Sequence, residues 1–125
     1  MNISHGFLVT GALYLLVGLA FGIHMGASGD HTRSPVHAHI NLLGFTLMTL
    51  FGLAYRLIPA LNQDALALAH FWLHQVGTLV LLVALYLLMS GTVPEVSIGP
   101  FMPIGEGLVA LGVLAWLFNI IRATR

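Results

Sequence analysis

Four long runs of apolar residues dominate the chain, and short polar segments separate them. The runs cover residues 6–26, 36–58, 65–89 and 101–121, and each has the roughly 20 residues that a helix needs to cross a hydrocarbon layer. Prolines, glycines and polar residues mark the turns at 28–35, 59–64 and 90–100. Because backbone polar groups in lipid must be paired inside the protein, the pattern predicts an all-α, four-helix transmembrane bundle.

The composition supports one membrane domain over residues 1–125. The chain is 58% hydrophobic and only 6% charged, with a mean hydropathy of +0.98, whereas soluble domains carry about 25% charged residues. The absence of cysteine excludes disulfides, iron–sulfur clusters and thiolate metal sites. A net charge of zero removes any case for nucleic-acid binding, so the lipid bilayer is the expected surrounding.

The few basic residues predict an orientation. With four spans, both termini and the second turn share one side, which carries Arg56, Arg122 and Arg125, while Arg33 lies on the other. Cytoplasmic segments are enriched in Lys and Arg. We therefore expect a multi-pass protein of the inner (cytoplasmic) membrane, with both termini in the cytoplasm.

Seven histidines are the candidate chemistry, since ionisable residues within spans are costly and often functional. They fall into two groups by depth. The outer group is His24, His31, His37 and His39. The cytoplasmic group is His5, His70 and His74.

His37 and His39 open the second span and are two residues apart, which is about 200° of helical rotation. One ion cannot easily take both from a regular helix, so a second ligand must come from elsewhere, and His24 lies at a similar depth. Imidazole is a common metal ligand and a standard axial ligand of heme iron. The alternative is a pair of interfacial histidines that hold no ligand.

Small residues accompany the pair. His37, Asn41 and Gly44 share one face of the second span, and Gly18 and Gly22 recur at a spacing of four in the first, followed by Gly26. Such positions either let helices approach closely or leave room for a porphyrin, and both interpretations stay open.

The second and third spans combine several residue types at recognisable spacings. His-Ala-His-Ile-Asn-Leu-Leu-Gly at 37–44 is followed by Gly52, Tyr55 and Pro59, and then by His-Phe-Trp-Leu at 70–73 and Gly77. Residues 36–77 thereby resemble the tenth and eleventh helices of the catalytic subunit of heme–copper oxidases and nitric-oxide reductases. The resemblance implies that His37 ligates a high-spin heme and His39 a low-spin heme, whereas His70 is architectural.

The chain also departs from that family. It has no His-Pro-Glu-type copper motif and no adjacent His-His pair, so the family's copper site and crosslinked tyrosine are missing. The family's subunit resembles three arcs of four helices, and this chain resembles one arc. The resemblance therefore implies a homo-oligomer with heme held between subunits, with a trimer favoured and a dimer possible.

These observations predict a membrane protein that binds heme b and works in electron transfer or in binding O₂ or NO, with an unknown electron donor. Whether it is an enzyme is left open, and no catalytic residue is assigned. His37 and His39 are the expected iron ligands, and His24, Arg33, Asn41 and Gly44 are expected to surround the cofactor, with Arg33 suited to heme propionates.

Other interpretations are retained. Copper or zinc could use His24, His37 and His39 without heme. A third hypothesis is a cofactor-free structural or assembly partner of an oxidase. His70 and His74, one helical turn apart, indicate either a second heme or metal site, with His5, or hydrogen-bonded histidines at the interface.

Overall fold

The computed structural model of the protein describes residues 2–62 and 65–123, and these ranges form an all-α bundle of four long helices. Helix α1 covers Ile3–Ser28, α2 covers Ser34–Leu57, α3 covers Ala65–Ser90 and α4 covers Phe101–Ala123. Each is long and apolar enough to cross a membrane. The predicted fold class is confirmed, and the chain has the architecture of a multi-pass membrane protein.

The helix ends follow local chemistry. The Asn2 side chain accepts a hydrogen bond from the backbone N–H of His5 at 3.1 Å, which caps the start of α1. Gly29 ends α1 in the left-handed region at φ 69°, where glycine carries no steric cost. Helix α2 begins two residues before the predicted boundary because Pro35 is tolerated in a first turn.

The turns hold more structure than the sequence predicts. A 3₁₀ turn covers Pro59–Asn62 and a helical turn covers Glu95–Ile98, within segments expected to be irregular. Asp64 of the predicted second turn and Arg125 of the orientation argument lie outside the described residues. Orientation in the membrane stays a prediction.

The bundle is built from two helix pairs. Helix α1 packs along α2, and α3 packs along α4, while the contacts between the pairs are less extensive. Glycines allow the close approach within each pair. Against Gly22, an added Cβ would lie 3.2 Å from the Cε1 atom of His37, and against Gly77 it would lie 2.7 Å from the backbone nitrogen of Val109.

Aromatic side chains join the two pairs near one end of the bundle. Phe7 of α1 stacks on Tyr55 of α2, with ring centroids 5.9 Å apart, and meets Phe71 of α3 edge-on at 4.9 Å. Phe51 meets Trp116 of α4 at 4.9 Å. These rings hold the two pairs together by close van der Waals packing. The hydrophobic effect contributes little, because apolar side chains are as well accommodated by lipid as by the protein core.

Helix α2 contains a π-helical segment, Ile40–Thr46, that the sequence analysis does not predict. Buried positions recur every four residues from Val36 through Ile40, Gly44 and Met48 to Gly52. In a regular α-helix, 16 residues at about 100° each would turn Gly52 roughly 160° away from Val36. The wider π turn removes about 100° of this drift. Val36 and Ile40 thereby stay buried against α3, and Gly44 and Gly52 stay buried against α1.

We expect Gly44→Ala to destabilise the protein, because the new Cβ would collide with the Tyr14 ring of α1. Overpacking of this kind costs about 1–3 kcal/mol. Gly26→Ala is the matched control, since nothing lies within 4 Å of the Cβ it would add. The measurement is the free energy of unfolding in detergent. Equal stability of the two variants would show that Gly44 is not a packing position.

Candidate functional site

The imidazole of His37 lies in the groove between α2 and α1. Its Nδ1 is 2.9 Å from the carbonyl oxygen of Gly18. Since a carbonyl only accepts, Nδ1 must carry the proton and donate. The Asn41 amide nitrogen is 3.3 Å from Nε2 and also donates to the backbone carbonyl of His37 at 3.0 Å. Both ring nitrogens of His37 therefore have partners within the chain.

His39 has a different environment. Its Nδ1 lies 2.8 Å from the carbonyl oxygen of Pro35 in the preceding turn, so Nδ1 again carries the proton. Nε2 is then the nitrogen with a free lone pair. The side chain is partly exposed, and Leu42, Thr46 and Leu50 on the same side of α2 are exposed. His37 and His39 thus diverge around the helix, as their spacing predicts.

His24 and Arg33 come together at the same end of the bundle, in a cleft of about 360 Å³. The Arg33 guanidinium lies over the Tyr86 ring at 5.4 Å from its centroid, a cation–π contact. Neither His37 nor His39 lines this cleft. The structure therefore does not join His24 or Arg33 to the histidine pair within one chain.

Asp30 also lines the cleft. Hydrogen bonds from the hydroxyl and the backbone N–H of Thr32, at 2.6 and 3.0 Å, lower the pKa of the Asp30 carboxyl. This carboxylate is therefore charged at neutral pH, and it lies close enough to Arg33 and His24 to interact with them electrostatically.

The small residues beside the histidine pair are packing positions. The Asn41 side chain fills the space beside Gly18, the His37 ring lies beside Gly22, and the Tyr14 ring lies against Gly44. Of the two interpretations left open by the sequence, helix packing is the one seen at these positions. Asn41 and Gly44 serve the contact between α1 and α2.

His70 and His74 are hydrogen-bonded inside the bundle, and their depth in the membrane stays a prediction. Both are fully buried on the inner face of α3. The Tyr55 hydroxyl and Nδ1 of His70 are 2.9 Å apart, and the phenol is the stronger acid and donates. Nε2 of His74 donates to the carbonyl oxygen of Leu43 at 3.0 Å. The second nitrogen of each ring has no hydrogen-bond partner among the described residues.

A sequence signal for this burial exists in retrospect. His70, His74 and Thr78 are spaced by four, and all three are buried on one face of α3 together with Gly77. This face carries polar and small side chains. Hydropathy averaged along the helix does not show which face carries them, so it cannot separate a buried face from a lipid-exposed one.

Across residues 2–62 and 65–123, no three histidine or acidic side chains converge where they could hold a metal ion. His5 is exposed, whereas His70 and His74 are buried, so the structure does not bring His5 to the other two in the alternative second site. The copper or zinc site proposed for His24, His37 and His39 is likewise not assembled by a single chain.

Comparison with known protein families, characterised proteins and solved structures gives no match. Membership of the heme–copper oxidase superfamily therefore stays a prediction that rests on the residues of α2 and α3.

Tyr55→Phe should destabilise the protein, because it leaves Nδ1 of the buried His70 without its donor. An unpaired buried polar group costs about 1–3 kcal/mol. Tyr86→Phe is the control, as Tyr86 is partly exposed and its ring faces Arg33. Unfolding in graded denaturing detergent compares the two. A Tyr55→Phe variant as stable as wild type would mean that the bond contributes nothing.

Proposed function

We propose that the protein is a heme-b-binding membrane protein in which His39 is the axial ligand and the heme lies between copies of the chain. The supporting observation is the state of the His39 ring. Its Nδ1 proton is donated to a backbone carbonyl at 2.8 Å, and the Nε2 of this partly exposed ring has no hydrogen-bond partner among the described residues. Metal-binding histidines almost always have this arrangement, in which the second nitrogen is tied to a carbonyl or carboxylate.

His37 fits the ligand role less well than the family resemblance implies. Its Nε2 faces the Asn41 amide, and its ring is enclosed by α1 at Gly22. Ligation by His37 would require the ring to leave the groove and break two hydrogen bonds. We therefore assign the ligand role to His39 and a helix-packing role to His37.

An interface between copies follows from the position of His39. The exposed apolar side chains on the same side of α2 suit the apolar faces of a porphyrin as well as they suit lipid. One histidine per chain on this side supplies one axial position, so a second ligand must come from a neighbouring copy. A two-fold pair provides this ligand as a second copy of His39, whereas a ring of three needs another histidine of the neighbouring copy.

Heme supplies reversible one-electron chemistry when two histidines hold it, and binds diatomic gases when one axial position is open. The paired arrangement favours electron transfer. Arg33 lies at the same end of the bundle and carries a guanidinium suited to a propionate. An oligomer of three copies, suggested by the oxidase-like arc, remains the preferred assembly, and a two-fold pair is the alternative.

The first test is spectroscopic. Purified protein expressed with heme should be red, with split visible bands on reduction. His39→Ala should lose most of its heme, as measured by pyridine hemochrome per chain, while His37→Ala should keep more. His31→Ala is the control, because His31 is an exposed turn residue at the same end. A colourless wild-type protein, or full heme retention in His39→Ala, would refute the proposal.

The second test counts chains and hemes together by native mass spectrometry. A symmetric pair that shares one iron through two copies of His39 should give one heme for two chains. A ring of three, in which each interface holds one iron, should give three hemes for three chains, with the second ligand from another histidine of the neighbour. A heme-loaded monomer would contradict the shared site and shift attention to His24.

A further inference from the structure

The π segment of α2 begins at the residue that follows His39. At its far end, the backbone N–H of Leu47 donates to the carbonyl of Leu42, five residues back. In an α-helix that N–H would instead reach Leu43. The wider turn therefore removes from the Leu43 carbonyl the donor that a regular helix provides.

His74 of α3 supplies a donor in its place. Its Nε2 lies 3.0 Å from the Leu43 oxygen, and its side chain is fully buried. This contact is a polar tie from α3 to α2 across the boundary between the two helix pairs. In the hydrocarbon region an unpaired carbonyl is costly, so the contact bears directly on whether α2 keeps its π segment.

The aromatic rings packed against His74 offer no substitute donor, and the Thr78 hydroxyl, one turn further along the same face of α3, is buried but makes no hydrogen bond to Leu43. Phe7 and Phe51 pack against its ring at 6.1 and 5.1 Å between centroids, and neither has a polar side-chain atom. His70 is the nearest polar ring, at 6.0 Å, and one of its nitrogens is occupied by Tyr55.

We infer that His74 is a positioning residue for the histidine pair of α2. Its hydrogen bond to Leu43 holds the π segment, and the π segment fixes how residues 34–39 are rotated relative to the rest of the helix. In this rotation His37 lies in the α1 groove and His39 faces outward. The consequence for heme rests on the proposed function, whereas the rotation itself does not.

Loss of the tie has a definite geometric result. If the π segment becomes regular α-helix, the same residues make a tighter turn. Residues 34–39 then rotate around the helix axis by about 100° relative to Leu47–Leu57, which is the rotation of one residue. Val36 is 1% exposed and lies against α3, while Ala38 is exposed. The rotation would expose position 36 and bury position 38.

The chain contains no cysteine, so single cysteines report this rotation without background. We compare maleimide labelling at Val36→Cys and Ala38→Cys in four backgrounds: wild type, His74→Met, His74→Gln and His70→Leu. The Met side chain of His74→Met has a similar volume to histidine but no hydrogen-bond donor. In this variant the rate of labelling at the cysteine in position 36, divided by the rate at position 38, should rise about tenfold, as expected for the loss of one buried hydrogen bond.

The other two backgrounds separate positioning from general damage. His74→Gln keeps an N–H that can reach Leu43, and it should retain the wild-type labelling ratio. His70→Leu loses a buried hydrogen bond of its own but does not touch the π segment, so its ratio should also stay unchanged. An unchanged ratio in His74→Met, or an equal change in His70→Leu, overturns the inference. If His74→Met does not accumulate, a reversed ratio in His74→Gln overturns it.

In protein that binds heme, the same variants give a second readout. His74→Met should shift the low-spin electron paramagnetic resonance signal, which reports the orientation of the axial imidazole, and His74→Gln should restore it. Protein without heme would refute the proposed function and leave the labelling test intact, so the two failures are distinguishable.

Discussion

Inside a hydrocarbon layer every backbone carbonyl must find its donor within the protein, and this constraint acts most visibly on Leu43. The π segment of α2 turns that carbonyl away from its helical partner, and His74 donates to it from α3. This one hydrogen bond connects α3 to α2. In the inference drawn above, it also holds the π segment, and thereby the face that α2 presents to α1 and the direction of the residues at the start of α2. In water such a carbonyl would bind solvent, and the π segment would need no partner.

Most of the polar and small residues of α2 take part in its packing against α1. Gly18 and Gly44 bring the helices close, and His37 and Asn41 complete the contact by hydrogen bonds. Features that suggest a cofactor pocket in the sequence are therefore used to build the helix pair. What remains unused on α2 faces outward, and among the histidines of α2 this is His39. The two histidines of the pair therefore differ, since His37 bonds to α1 and His39 bonds to its own helix.

The parts of the structure that depend on the local chain were predictable. Run length and turn residues give the four helices to within a few residues, and a rotation of about 100° per residue gives the divergence of His37 and His39. The burial of His70 and His74 was not predictable in this way, because hydropathy does not reveal which face of α3 meets another helix. The π segment was missed for a related reason, since its stability depends on a donor 31 positions away in sequence.

Four histidines of this bundle each have one ring nitrogen in a hydrogen bond, and they differ in the surroundings of the second nitrogen. His37, His39 and His74 each donate one ring N–H to a backbone carbonyl, and His70 accepts from a hydroxyl. A neutral imidazole can do this in lipid without carrying a charge. The difference lies in the second nitrogen. It faces an amide in His37, is buried without a partner in His70 and His74, and has no hydrogen-bond partner among the described residues in the partly exposed His39. A lone pair enclosed by the core cannot meet an iron without disrupting the fold, whereas the ligation proposed for His39 requires no such disruption. The same fold that uses three of these histidines to hold helices together therefore leaves His39 bonded only to its own helix.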